Sequence, residues 1–159
     1  MEKERKASKS NPIVVVDGNV KWSKIEKLFQ DFKGDIVIRG NLILEECSHI
    51  ICDNIYIMGN IWDEYEADLI VEGNLYVEGA IDCWNLTVNG AVNCNKCINT
   101  YEINVAEDLY SKSKIDAGGC DINVGGDLVC KSEVAAADIR VLGKFYVSSL
   151  VEADSIMVG

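Results

Sequence analysis

Short bursts of alternating apolar residues recur along this chain, broken by polar corners at a near-constant interval. Aligned on an Ile/Leu-x-Val/Ile start, segments begin at Ile36, Ile55, Leu69, Leu86, Ile103, Ile122, Ile139 and Ile156, in steps of 19, 14, 17, 17, 19, 17 and 17 residues. The segment from Leu69 carries apolar residues at Leu69 and Val71, Leu75 and Val77, Ile81 and Cys83. The segment from Ile122 repeats this with Ile122 and Val124, Leu128 and Cys130, Val134 and Ala136. Pairs two apart are the signature of short half-buried strands, whereas an amphipathic helix needs apolar residues three and four apart. Three bursts per repeat imply three faces. No single repeat can bury its own apolar side, so the repeats must stack. The expected fold is all-β: a single-stranded triangular β-helix, or solenoid, of about eight rungs, spanning residues 13–159.

The corners agree with this. Asp35, Asn54, Asp68, Asn85, Asp121 and Asp138 each precede a burst, and Gly40-Asn41, Gly59-Asn60, Gly73-Asn74 and Gly126-Asp127 sit between bursts. Gly and Asn tolerate the positive φ that sharp corners often demand. The stretch Val14–Trp22 fits the same template as a first rung. It is followed by an insertion, 23–33, whose Ile25, Leu28, Phe29 and Phe32 fall at helical spacing. Ser23 and Glu26 have the spacing of a capping box, so a helix covering the first open end is predicted. At the other end the sequence stops at Ile156–Gly159, which reads as the start of a further rung with no covering helix. Phe145, Val147, Val151, Ala153, Ile156 and Val158 would then be offered for self-association, as a two-fold dimer or a filament.

The recurring I-x-V-x-G-[ND]-L-x-V-x-x-x-I-x-[AC] resembles the bactofilin domain, a polymer-forming cytoskeletal family, over about residues 35–159. The resemblance implies a right-handed triangular β-helix that assembles end to end into non-polar filaments without nucleotide.

Charge narrows the choice of partner. The formal net charge is −11, yet residues 1–34 hold eight Lys/Arg against five Asp/Glu, and residues 1–12 read as a basic flexible tail. No Lys or Arg lies between Arg39 and Lys96, where ten acids fall. An acidic body cannot neutralise phosphates, so direct nucleic-acid binding by it is not expected. No apolar run is long enough for a membrane span and no signal peptide is recognisable, which places the chain in the cytoplasm. Seven cysteines, an odd number, fit reduced thiols there.

Candidate chemistry is thin. His49 is the single histidine and is assigned to a corner. Asp63, Glu64, Glu66 and Asp68 contain possible paired carboxylates, but they cluster in the 14-residue step as a solvated corner. Cys94-x-x-Cys97 is one CxxC where a structural zinc site wants two, and Cys94 falls in an inward column. No metal, cofactor or catalytic residue is therefore assigned.

Two outward columns stand out. The position seven after each segment start holds Ile43, Trp62, Tyr76, Asn93, Tyr110, Val129 and Tyr146. Trp62, Tyr76, Tyr110 and Tyr146 are expected to form an aromatic stripe, either a surface ladder or a partner interface. Two residues on come Glu45, Glu64, Glu78, Asn95, Lys112 and Lys131, acidic then basic. Glu45, Asp63, Glu64, Glu66, Asp68, Glu72 and Glu78 are expected to make an acidic face. Two functions follow: a non-enzymatic scaffold that self-associates through its ends, or an acidic module that mimics nucleic acid and occupies a basic protein groove. A carbohydrate-active β-helix enzyme is a third, resting only on scattered acids.

Overall fold

The computed structural model describes residues 11–159. The chain winds through three parallel sheets, one per face. The first face stacks eight strands, from Ile13–Asp17 to Phe145–Val147. The second stacks eight, from Val20–Lys21 to Val151–Glu152, and the third seven, from Ser48–Ile50 to Ser155–Val158. The expected β-solenoid of about eight rungs is the observed fold.

The inward alternation holds throughout. Val71, Leu75, Val77, Ile81, Val88 and Val92 are all buried, in one apolar column running along the axis. Each rung contributes only two inward residues per face, too few to exclude water alone, and burial comes from the rungs above and below.

The assignment of segments to faces differs from the sequence reading. Ile36 and Ile55 stack on Leu75, on the first face. Leu69 lies on the third face, between Ser48 and Leu86. The 14-residue step from Ile55 to Leu69 therefore crosses from one face to another and is not a rung. In every rung the inward residue opening the second face comes six residues after its first-face counterpart, as in Ile36 to Leu42, Leu75 to Ile81 and Phe145 to Val151. From second to third face the step varies, from five residues (Ile81 to Leu86) to eight (Ile61 to Leu69).

Two further expectations change. The insertion forms an α-helical turn, Trp22–Ile25, and a 3-10 turn, Glu26–Phe29, not a helix across 23–33. There is no capping box: the Ser23 hydroxyl donates to Glu45 instead, at 2.5 Å. The insertion takes the place of a third-face strand in the first rung and packs beside His49 and Ile51. It needs to cover only one strand edge, so two turns suffice. Trp22 and Phe29 are buried with their rings 5.6 Å apart, while Leu28 is exposed. At the far end, Ser155–Val158 completes the eighth rung and does not open a ninth.

The corner glycines also have another cause. Gly40, Gly59, Gly73 and Gly126 do not have positive φ. A Cβ on Gly59 would lie 2.3 Å from the Asn41 side-chain oxygen and 2.6 Å from the Gly40 carbonyl oxygen. Close stacking of corners, not left-handed backbone, excludes side chains there. The asparagines stack with them: the Asn41 nitrogen donates to Asn19 Oδ1 and the Asn60 nitrogen to Asn41 Oδ1.

The expected tail over 1–12 lies outside the described residues except for its last two. Asn11 donates to Asp53 at 2.9 Å, and the Pro12 carbonyl accepts from the Asp35 amide.

Candidate functional site

The three faces differ in what they turn outward. On the first face the central outward column is Val15, Val37, Tyr56, Tyr76, Asn93, Tyr110, Val129 and Tyr146. It holds no ionisable acid or base other than tyrosine hydroxyls. The Tyr56 and Tyr76 rings stack at 4.8 Å, and burial raises the Tyr56 pKa above its ordinary value. Lys131 lies over the Tyr146 ring at 4.9 Å. Tyr76, Tyr110 and Tyr146 thus share a column as expected. Trp62 does not: it pairs with Ile43 and Asp82 on the second face. Tyr56 takes the place assigned to it. The constant six-residue step between first and second faces was the signal that would have separated them.

The acidic-to-basic column divides in the same way. Glu45 and Glu64 sit past the second face, where Lys21 Nζ reaches both, at 2.6 and 2.9 Å. That ammonium lowers the Glu45 pKa, with help from Ser23. Glu78, Asn95, Lys112 and Lys131 follow the first face, after Arg39 and Met58.

The expected acidic face is not one face. Glu45, Asp63, Glu64 and Glu66 lie around the second-to-third corner, Asp68 precedes a third-face strand, Glu72 follows that strand, and Glu78 follows a first-face strand. A continuous stretch of sequence winds more than one and a half turns around the axis, so its acids are dispersed. Glu72 is hydrogen-bonded to His49 and accepts from Asn89; the histidine contact is first among the causes that lower the Glu72 pKa. His49 lies on the strand Ser48–Ile50 and points outward, not in a corner.

A groove of about 440 Å³ runs along the variable corner. Asp63, Glu66, Asp82 and Asp116 line it, beside Trp84 and Tyr101, whose rings stack at 4.0 Å. Its rim is made by the extra residues of that corner: Glu66 has φ 49° and Gly118 φ 56°. Lys114 pairs with Asp116 at 2.9 Å and lowers its pKa. The hydroxyl of Thr100, a groove residue, is buried without a hydrogen-bond partner.

All seven cysteines are free thiols, and Cys52, Cys83, Cys94 and Cys130 are buried. Cys94 Sγ donates to the Gly79 carbonyl at 3.2 Å, and burial pushes its pKa up to about 11. Cys52 faces the core, where burial raises its pKa to about 12. Among the described residues no group of three or more His, Cys, Asp or Glu is arranged to hold a metal ion. No helix among them is long and apolar enough to cross a membrane.

The ends differ from the middle. Phe145, Val147, Val151 and Ala153 are half-buried in the eighth rung, and Ile156 and Val158 are each 49 % exposed. Their equivalents one rung earlier on the third face, Ile139 and Val141, are 0 and 1 % exposed. Among the described residues, the strands Phe145–Val147, Val151–Glu152 and Ser155–Val158 have a partner on one side only.

The sequence matches no family model, and no curated protein or solved structure is significantly similar to it.

Proposed function

We propose that this chain is a non-enzymatic scaffold of bactofilin type that self-associates through the ends of its solenoid. The observation that carries the reading is the rise in exposure along one inward column, from Ile139 at 0 % to Ile156 at 49 %. Each rung stacks on the next through apolar side chains and strand hydrogen bonds. The eighth rung offers both to a second molecule. Burying apolar surface gains about 25 cal/mol per Å² before the costs of association. Unpaired strand edges fix the direction of approach. The reading favours contact between C-terminal ends, where three strand edges are free. At the first rung the insertion occupies the third face and, among the described residues, two edges remain. Seven free thiols fit a reducing, cytoplasmic setting.

Electron microscopy of the purified chain tests this. The solenoid is roughly 34 Å long at the usual strand spacing of about 4.8 Å. Particles of twice that length, or filaments, are expected. A uniform population of single solenoids at high concentration contradicts the reading.

A second reading is favoured by the corner groove. Four carboxylates beside a Trp–Tyr stack suit the Lys or Arg side chains of a basic protein. Capture of a basic protein partner should weaken with salt and fail when Asp63 and Asp82 are changed to Lys. Capture that survives both would count against it.

A further inference from the structure

The first face carries two flanking columns besides its uncharged centre. On the side where strands end, Arg39, Lys112 and Lys131 occur in the second, sixth and seventh rungs. On the side where strands begin, the same three rungs carry Asp35, Asp108 and Asp127. Each of these three cations is thus matched by an acid across the width of its own rung. The remaining rungs pair Asp17 with Ile13, Met58 with Asn54, Glu78 with Asn74, Asn95 with Ala91 and Ser148 with Lys144. No rung has like charges on both flanks. The central columns of the other two faces do carry charge: Lys21, Asp82, Asp116 and Glu152 on the second, Arg140 on the third.

We infer that the first face is the docking surface for a second copy of this chain, packed face to face with both solenoids pointing the same way. A two-fold axis parallel to the solenoid axis exchanges the flanks and keeps the rungs level. Lys112 then meets Asp108 of the other copy, Lys131 meets Asp127, and Arg39 meets Asp35, each contact made twice. The tyrosine columns close on each other at the centre. The inverted arrangement, with the solenoids opposed, keeps the flanks and reverses the rungs. It sets Arg39 against Lys131 and Asp35 against Asp127, so charge selects the parallel pair. Each Asp has spare capacity for the contact. Asp108 and Asp127 use Oδ1 to accept the backbone N–H of the next rung, and among the described residues Oδ2 makes no side-chain hydrogen bond. The Lys112 and Lys131 ammonium groups form no ion pair among the described residues.

A stack about 34 Å long with strands about 13 Å wide gives roughly 450 Å² of flat face per copy, near the lower limit for a specific interface. A reversible dimer in the micromolar range is expected, sensitive to salt. This surface is separate from the solenoid ends, so lateral pairing and end contact stand or fall independently.

Sedimentation velocity with charge-swapped variants tests the inference, in a background of Ile156→Asp and Val158→Asp that removes the end contact. One variant carries Lys112→Glu and Lys131→Glu, making both flanks acidic. The other carries Asp108→Lys and Asp127→Lys, making both basic. Each alone should lose pairing by at least tenfold, and an equimolar mixture should form the heterodimer. Far-UV circular dichroism confirms folding of each. Should the Asp variant fail to fold through loss of its corner hydrogen bonds, Tyr76→Glu with Tyr110→Glu takes its place and must abolish pairing of the otherwise unaltered face. The inference is overturned if the parent is monomeric at several hundred micromolar. Charge-swapped variants that pair as the parent does also overturn it, as do folded swaps whose mixture stays monomeric.

Discussion

The side-chain oxygen of Asn41 lies 2.7 Å from the backbone nitrogen of Asn60, one rung further along. Asn60 repeats the contact with the Ala80 nitrogen at 2.8 Å. The corner between first and second faces is thus held by side chains that take over where strand pairing stops. Asn41→Ala should cost about 1 kcal/mol, the usual net value of one hydrogen bond, and Asn41→Asp should cost less because the acceptor remains. Gly59→Ala should cost more than either, since its Cβ would meet the same Asn41 oxygen and the Gly40 carbonyl. Urea unfolding of the three variants gives the order directly; equal midpoints for all three would show that the ladder is ornamental.

Val88 sits at the middle of the stack and is 1 % exposed. Val88→Asp strands a carboxylate among apolar side chains, and a loss of several kcal/mol is expected. Leu109→Ala, at a fully buried first-face position, should lose about 2–5 kcal/mol through transfer and cavity effects. Thermal melts by circular dichroism check both. An unchanged melt for either would mean that the register along the core is wrong.

The buried thiols predict an alkaline limb. Burial raises the pKa of Cys94 to about 11 and of Cys52 to about 12. An unfolded cysteine ionises near its ordinary value of 9.0, so above that pH the unfolded state loses protons that the folded state keeps. The stabilisation is complete below pH 9 and is lost as pH rises toward 11–12, by up to about 1.4 kcal/mol per pH unit for each thiol. Cys94→Ala should lower stability at neutral pH and flatten the decline between pH 9 and 11. A decline of unchanged slope in that variant would remove Cys94 from the cause.

The architecture was legible in the sequence because stacked rungs demand the same two inward residues from every burst, and Leu69, Leu75 and Ile81 show that demand without interruption. Which face a burst belongs to was not legible in the same way. Ile55-Tyr-Ile57 and Leu69-Ile-Val71 have the same pattern but lie on different faces, and the residues between them include the long corner that rims the groove. The slip moved Trp62 into a column it does not share and hid Tyr56. The helical insertion was overdrawn for a related reason. Leu28 has helical spacing with Ile25 and Phe32, but only one strand edge needed cover, and Leu28 stays in solvent. The matching of Lys112 with Asp108 and Lys131 with Asp127 depends on which residues flank one face, and it emerges only after the faces are assigned.

Sedimentation velocity of the unaltered chain beside a variant carrying Ile156→Asp and Val158→Asp, over a concentration series at high salt, tests end-on assembly most directly. High salt suppresses the charge-selected lateral contact and leaves an apolar one in place. Both residues are half exposed, so the substitutions should leave the melting temperature nearly unchanged. The account predicts that the unaltered chain sediments as dimers or larger species at rising concentration while the variant remains monomeric. An unaltered chain that stays monomeric throughout, or a variant that assembles as readily, would contradict it.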